Sequence, residues 1–217
     1  MGDFVPNLFE EQTKTLRSPR RPYGFLARTL FFLMDLFYGK AKTLSKFKVL
    51  EVIARVPYQS WEQVAYVAVT HTYGMPDFAR RIFEFVKEAR FAQDNEQWHL
   101  LILEEMVQKK EVREGFFFFR ILPQIMAFAY YHISWILYVI KPAWSYALNA
   151  DFEDHAEHEY MEFVKGNPAL ENERFESSFE EEYGSFESVA DLFRQIGLDE
   201  RMHKEESLAR VPSARFN

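Results

Sequence analysis

The chain has 217 residues, a formal net charge of −7 and no cysteine. That length suits one well-filled core, and the acidic balance argues against a nucleic-acid partner. Without thiols there are no disulfides, thiolate metal sites, iron–sulfur clusters or cysteine nucleophiles, so any metal must take nitrogen and oxygen ligands. Aromatic residues make up 18%, with 23 Phe and 11 Tyr, and more than one segment is too apolar for water.

In chain order, residues 1–20 read as a loose N-terminal arm. The start lacks a basic region followed by an apolar one, so no secretory signal is expected. Met-Gly-Asp invites myristoylation, but Pro6 stands where Ser or Thr is required. Residues 23–39 form an amphipathic apolar stretch containing Arg28 and Asp35, with Arg17, Arg20 and Arg21 before it and Lys40, Lys42, Lys46 and Lys48 after it. That pattern suits a helix lying in a membrane interface with its cations near anionic head groups. Helices are predicted at about 23–38, 43–72, 77–109, 115–140, 143–166 and 186–209, within one domain spanning 21–209 and followed by a tail at 210–217. Residues 121–140 carry no Lys, Arg, Asp or Glu. Their length permits a membrane span, yet Pro123, Gln124, His132 and Ser134 interrupt them. Interfacial attachment ranks first, burial second and a true span third. The Glu- and Ser-rich stretch before the last helix reads as a solvated loop.

Six histidines occur, and two of them, His99 and His203, follow a glutamate by three residues: Glu96 with His99, and Glu200 with His203. Positions i and i+3 share a helix face, so each pair can aim a carboxylate and an imidazole at one point. Two such pairs, with one further Glu from each of two other helices, make the ligand set of a two-metal centre in a four-helix bundle. Glu51 and Glu153 supply those carboxylates. Glu51 precedes Glu96 by 45 residues and Glu153 precedes Glu200 by 47, the order of two helical hairpins around a common centre. Glu51 shares a stripe with Phe47 and Ala54, and Glu153 sits among Asn149, Ala150 and Ala156. Four carboxylates balance two ferrous ions, and an imidazole–carboxylate donor set suits iron or manganese. His155 and His158 form a competing pair, while His71 and His132 read as structural or interfacial.

The segments "VLEVIARVPY", "NEQWHLLILEE", "FEDHAEHEY" and "DERMH" resemble the alternative oxidases, most closely the plastid terminal oxidase branch, over roughly residues 20–208. The resemblance implies an all-α, ferritin-like four-helix bundle with a di-iron centre and two additional membrane-associating helices. It implies a non-haem di-iron quinol oxidase, held peripherally on one leaflet of a thylakoid or bacterial inner membrane, that reduces O2 to water without proton pumping. Two iron ions would be held by Glu51, Glu96, His99, Glu153, Glu200 and His203. Tyr160 matches the redox-active tyrosine, while Asn95 and Asp199 match partners that orient the histidines. Lys46 and Leu50 border the expected cavity for plastoquinol or ubiquinol, and Glu159 replaces a threonine beside it. Ala190 replaces a tyrosine of the plastid branch, whose longer insertion is missing here. A homodimer is a family expectation, and the short leader suggests a mature or prokaryotic form. Two alternatives are a di-iron hydroxylase of a quinone precursor and a non-catalytic helical metal-binding membrane protein.

Overall fold

A computed structural model describes residues 6–213, so Gly2, the myristoylation position, lies outside the described residues. The described residues are helical and contain no strand. Among the described residues nine α-helices run in order: α1 (Leu8–Arg17), α2 (Phe25–Tyr38), α3 (Leu44–Ala54), α4 (Val56–Thr72), α5 (Pro76–Lys109), α6 (Leu122–Ile140), α7 (Pro142–Gly166), α8 (Glu180–Tyr183) and α9 (Val189–Arg210). Helices α3, α5, α7 and α9 make the central bundle: α7 packs along α9, and α3 packs against α5 and α7. Helix α4 backs α5, and α6 lies across α3, α4 and α7.

Local chemistry sets most boundaries. The Thr43 hydroxyl caps α3 by accepting from Lys46 N, and Ser188 caps α9 by accepting from Asp191 N. Pro76 and Pro142 open α5 and α7, where their missing N–H has no helical partner to lose. The helix predicted over 43–72 divides at Arg55, because Pro57 cannot donate to the preceding turn. A π-helical turn, Phe117–Ile121, precedes α6.

Two expectations need correction. The N-terminal arm is not loose, because α1 docks on α7 and α9 through polar groups. Gln12 donates to Met161 O at 2.9 Å and accepts from Arg194, while Arg201 donates to the Thr15 hydroxyl and to Glu11 O. A helix attached through buried Gln and Thr leaves no apolar stripe to read. Several cations assigned to head groups are also already paired: Lys48 with Glu104 and Glu114, Lys46 with Asp35, Lys42 and Arg20 with Glu159, and Arg21 with Asp151. Arg17, Arg28 and Lys40 are the exposed ones. The apolar exposure itself is large. Phe25, Phe32 and Leu36 on α2, and Ile125, Phe128, Ile136 and Ile140 on α6, all face outward. No helix of the described residues is long and apolar enough to cross a membrane.

Candidate metal centre

The bundle brings together all six carboxylate and imidazole side chains singled out from the sequence. Glu51 comes from α3, Glu96 and His99 from α5, Glu153 from α7, and Glu200 and His203 from α9; each is at most 1% exposed. They fall into two overlapping sets, Glu51–Glu96–His99–Glu200 and Glu96–Glu153–Glu200–His203, with the ligand atoms of each set within 4.8 Å of one another. Glu96 and Glu200 belong to both sets, so either could serve both of two ions held there. A close helix approach supports this: a Cβ on Gly197 would lie 2.9 Å from Met161 Cε and 3.3 Å from Tyr160 Cβ.

The pocket is polar, dry and unsatisfied. Both oxygens of Glu96 and of Glu200, one oxygen each of Glu51 and Glu153, and Nδ1 of both histidines lack hydrogen-bond partners. Orphaned buried carboxylates on this scale are strongly unfavourable in a protein of this size unless a cation neutralises them. The side chains therefore fit two divalent ions. Without the ions, burial raises Glu51 to about 8 and Glu153 to about 7, and it lifts Glu200 well above the usual carboxylate range. Burial pushes Glu96 the same way, but contacts with His203 and His99 prevail and hold it low. His99 Nδ1 lies 3.3 Å from Glu200 and 3.5 Å from Glu51, and His203 Nδ1 lies 2.8 Å from Glu96.

Around the six, hydrogen bonds set orientation. Asp199 accepts from His99 Nε2 at 3.2 Å, from Tyr183 OH at 2.7 Å and from Gln195 at 2.8 Å. A carboxylate cannot donate, so His99 donates from Nε2 and turns Nδ1 inward. Asn95 reaches Asp199 rather than a histidine. We expect Asp199→Asn to weaken metal affinity about 10–100-fold, the usual effect of losing such a partner; calorimetric titration of the metal-free protein measures this. Tyr160, fully buried and stacked on Phe47 at 4.4 Å, donates to Glu51, and burial raises its hydroxyl pKa far above the usual value.

Sequence reasoning missed Tyr58 and Tyr183. Tyr58 donates to Glu153 at 2.7 Å and is steadied by Asn149. It stands inside "VLEVIARVPY", so the motif contained the signal. Tyr183 arrives from the loop taken as solvated, and no local pattern marks it. His158 belongs to a separate group with Asp154 and Glu157. Lys204 and Arg201 neutralise that group, with Tyr23 and the Arg21 N–H completing Asp154. His155 stacks on Phe31 at 3.9 Å, and burial lowers it to about 4. His71 and His132 bond to backbone carbonyls of their own helices.

Lys46, Leu50 and Glu159 line one small cavity with Met34, Phe47 and His155. Phe47, on its inner side, stacks directly on Tyr160.

The sequence model described as "Alternative oxidase" matches residues 23–208, which include all six of these side chains and the whole bundle. The chain belongs to the alternative oxidase family. The chain is also 34% identical, over 144 residues, to the Arabidopsis thaliana protein named "Ubiquinol oxidase 4, chloroplastic/chromoplastic". That stretch is 66% of this chain and 37% of the relative, so the chain spans little more than a third of that relative's length. No solved structure matches it.

Proposed function

We propose that this alternative oxidase is a membrane quinol:oxygen oxidoreductase with a di-iron centre held by Glu51, Glu96, His99, Glu153, Glu200 and His203. The observation that carries the proposal is the pair of overlapping donor sets sharing Glu96 and Glu200. Membership of the family and similarity to a protein named as a ubiquinol oxidase support the substrate. The irons would supply the electron transfer to O2.

This chain's residues supply the rest. The six ligands lie in a pocket closed to bulk water, which limits side reactions. Tyr160 holds its hydroxyl proton towards Glu51 and would supply a proton and an electron to the chemistry the irons provide. The quinol ring would lie against Lys46, Leu50 and Glu159, with Phe47 between it and Tyr160; the cavity there is about 10 Å³, room for one water, and would have to open to admit the ring. The exposed faces of α2 and α6 would lie in one leaflet, of thylakoid or bacterial inner membrane type, and bring a lipid-soluble substrate to that cavity. Proton pumping is not part of the proposal, since residues 121–140 carry no charged side chain to relay a proton. A homodimer would use another apolar surface, and Tyr66 and Phe83 on α4 and α5 offer one.

The test is oxygen uptake by the iron-loaded protein with a simple quinol. Two quinols consumed per O2, with quinone as the only organic product, is the expected result; a ring-hydroxylated product would overturn it in favour of a hydroxylase. Tyr160→Phe should lower turnover at least ~100-fold, the lower end of what loss of a proton-transfer group does, while metal content stays unchanged. A silent Tyr160→Phe would reduce the residue to core packing.

A further inference from the structure

Six ligands this deeply buried pose an access problem, because an ion must reach them through a folded protein. Among the described cavities, one of about 30 Å³ is lined by a member of the cluster, His203, together with Tyr58, Ala89, Glu206, Ser207 and Arg210. His203 serves both sides. Its Nδ1 faces Glu96 at 2.8 Å, whereas Nε2 is buried and has no protein partner. The contrast with His99 is chemical: there Nε2 is fixed by Asp199, whereas the Nε2 of His203 is left uncommitted. Tyr58, also on the cavity wall, reaches Glu153 directly.

The outer end is a charged closure. Arg210 donates from Nε to Glu88 at 3.0 Å and lies 4.3 Å over the Phe85 ring. Beside it, Glu206 makes no hydrogen bond or ion pair among the described residues, and burial raises its pKa. A carboxylate at the mouth, a guanidinium holding a second carboxylate, and an unpaired imidazole nitrogen at the inner end make a series of donors ordered from surface to centre.

We propose that this cavity is the route by which a divalent metal ion reaches the centre. The proposal rests on reading the six residues as metal ligands. Glu206 captures the ion, Arg210 swings away and frees Glu88 as a second oxygen donor, and His203 receives the ion on the way to Glu96, Glu153 and Glu200. A space of about 30 Å³ has room for about two water-sized spheres, so a hexahydrated ion cannot pass intact. The route therefore favours ions that exchange water for carboxylate and imidazole, such as Fe2+ and Mn2+, over Mg2+, which dehydrates reluctantly.

The experiment follows metal uptake rather than turnover. Chelator-stripped protein is mixed anaerobically with Fe2+, and retained metal is measured after rapid desalting at increasing times. Ala89→Phe, which fills the cavity from α5, should slow uptake at least tenfold while reaching the same final content. Glu206→Gln should slow it severalfold, and Arg210→Ala should accelerate it. If Ala89→Phe does not fold, the two surface variants decide. Uptake rates within twofold of wild type in Glu206→Gln and Arg210→Ala overturn the route, even where wild type binds two ions. Failure of wild type to retain iron overturns the metal-centre reading itself and the route with it.

Discussion

Glu200→Ala is expected to abolish oxygen uptake with quinol and to leave one metal ion or fewer per chain. Glu200 belongs to both donor sets, and both of its oxygens are buried without hydrogen-bond partners. Alanine therefore removes a ligand from each ion at once and leaves a surplus of positive charge in a dry pocket. Loss of a partner outside the ligand shell already costs up to ~100-fold, so loss of a shared ligand should exceed that. Activity and bound iron should fall together. The neighbouring Glu205 is exposed on the same helix, so Glu205→Ala is the control and should match wild type. Membranes with Glu200→Ala that still consume oxygen at the wild-type rate would refute the assignment of the centre.

Removing the metal is expected to produce the second large effect, a stability that declines as pH rises. In the metal-free protein Glu51 sits at about 8 and Glu153 at about 7, each raised by burial from 4.5. A carboxyl whose folded pKa is raised holds its proton in the folded state after the unfolded chain has released it. Its contribution is therefore complete below about pH 4.5 and is lost as pH rises through 7 and 8. Glu200, raised further still, extends that loss upwards. Despite burial, His99 is raised by Tyr183 and then by Asp199, Glu200 and Glu51, and His203 by Glu96; both act in the same direction. Glu96, held low, contributes constantly above pH 4.5 and so does not alter the slope. Each titrating group removes up to ~1.4 kcal/mol per pH unit, or roughly 2–4 °C of Tm per kcal/mol for a chain this long. Calorimetry from pH 5 to 8 should show the chelated protein losing Tm steadily, with the metal-loaded protein nearly level. A metal-free Tm that is flat or rises over that range contradicts the buried-carboxylate account.

Much of this architecture was legible in the chain. Apolar periodicity, capping Thr43 and Ser188, and prolines at 76 and 142 mark helices because they act over three or four residues. The two Glu-x-x-His pairs were equally legible, since one helical turn puts both side chains on one face. The break at Arg55 was present in Pro57 but was outweighed by the long helical pattern on either side. Helix α1 was missed for a different reason: its buried face is Gln12 and Thr15, and polar docking leaves no hydrophobic signature.

What the sequence by itself determined is the donor inventory: four carboxylates and two imidazoles in two matched halves, without sulfur, on helices rich in apolar surface. Local spacing is enough for that. Only the tertiary structure decided that Glu96 and Glu200 are shared between two sets, that Asp199 and Tyr183 hold His99, and that His203 keeps Nε2 for a cavity closed by Arg210. Each of these joins residues far apart in the chain, and no periodicity records a contact between separate helices. The same limit explains the lysines and arginines flanking α2. Their number was visible, but their commitment to Asp35, Glu104, Glu114, Asp151 and Glu159 is set by which helices meet.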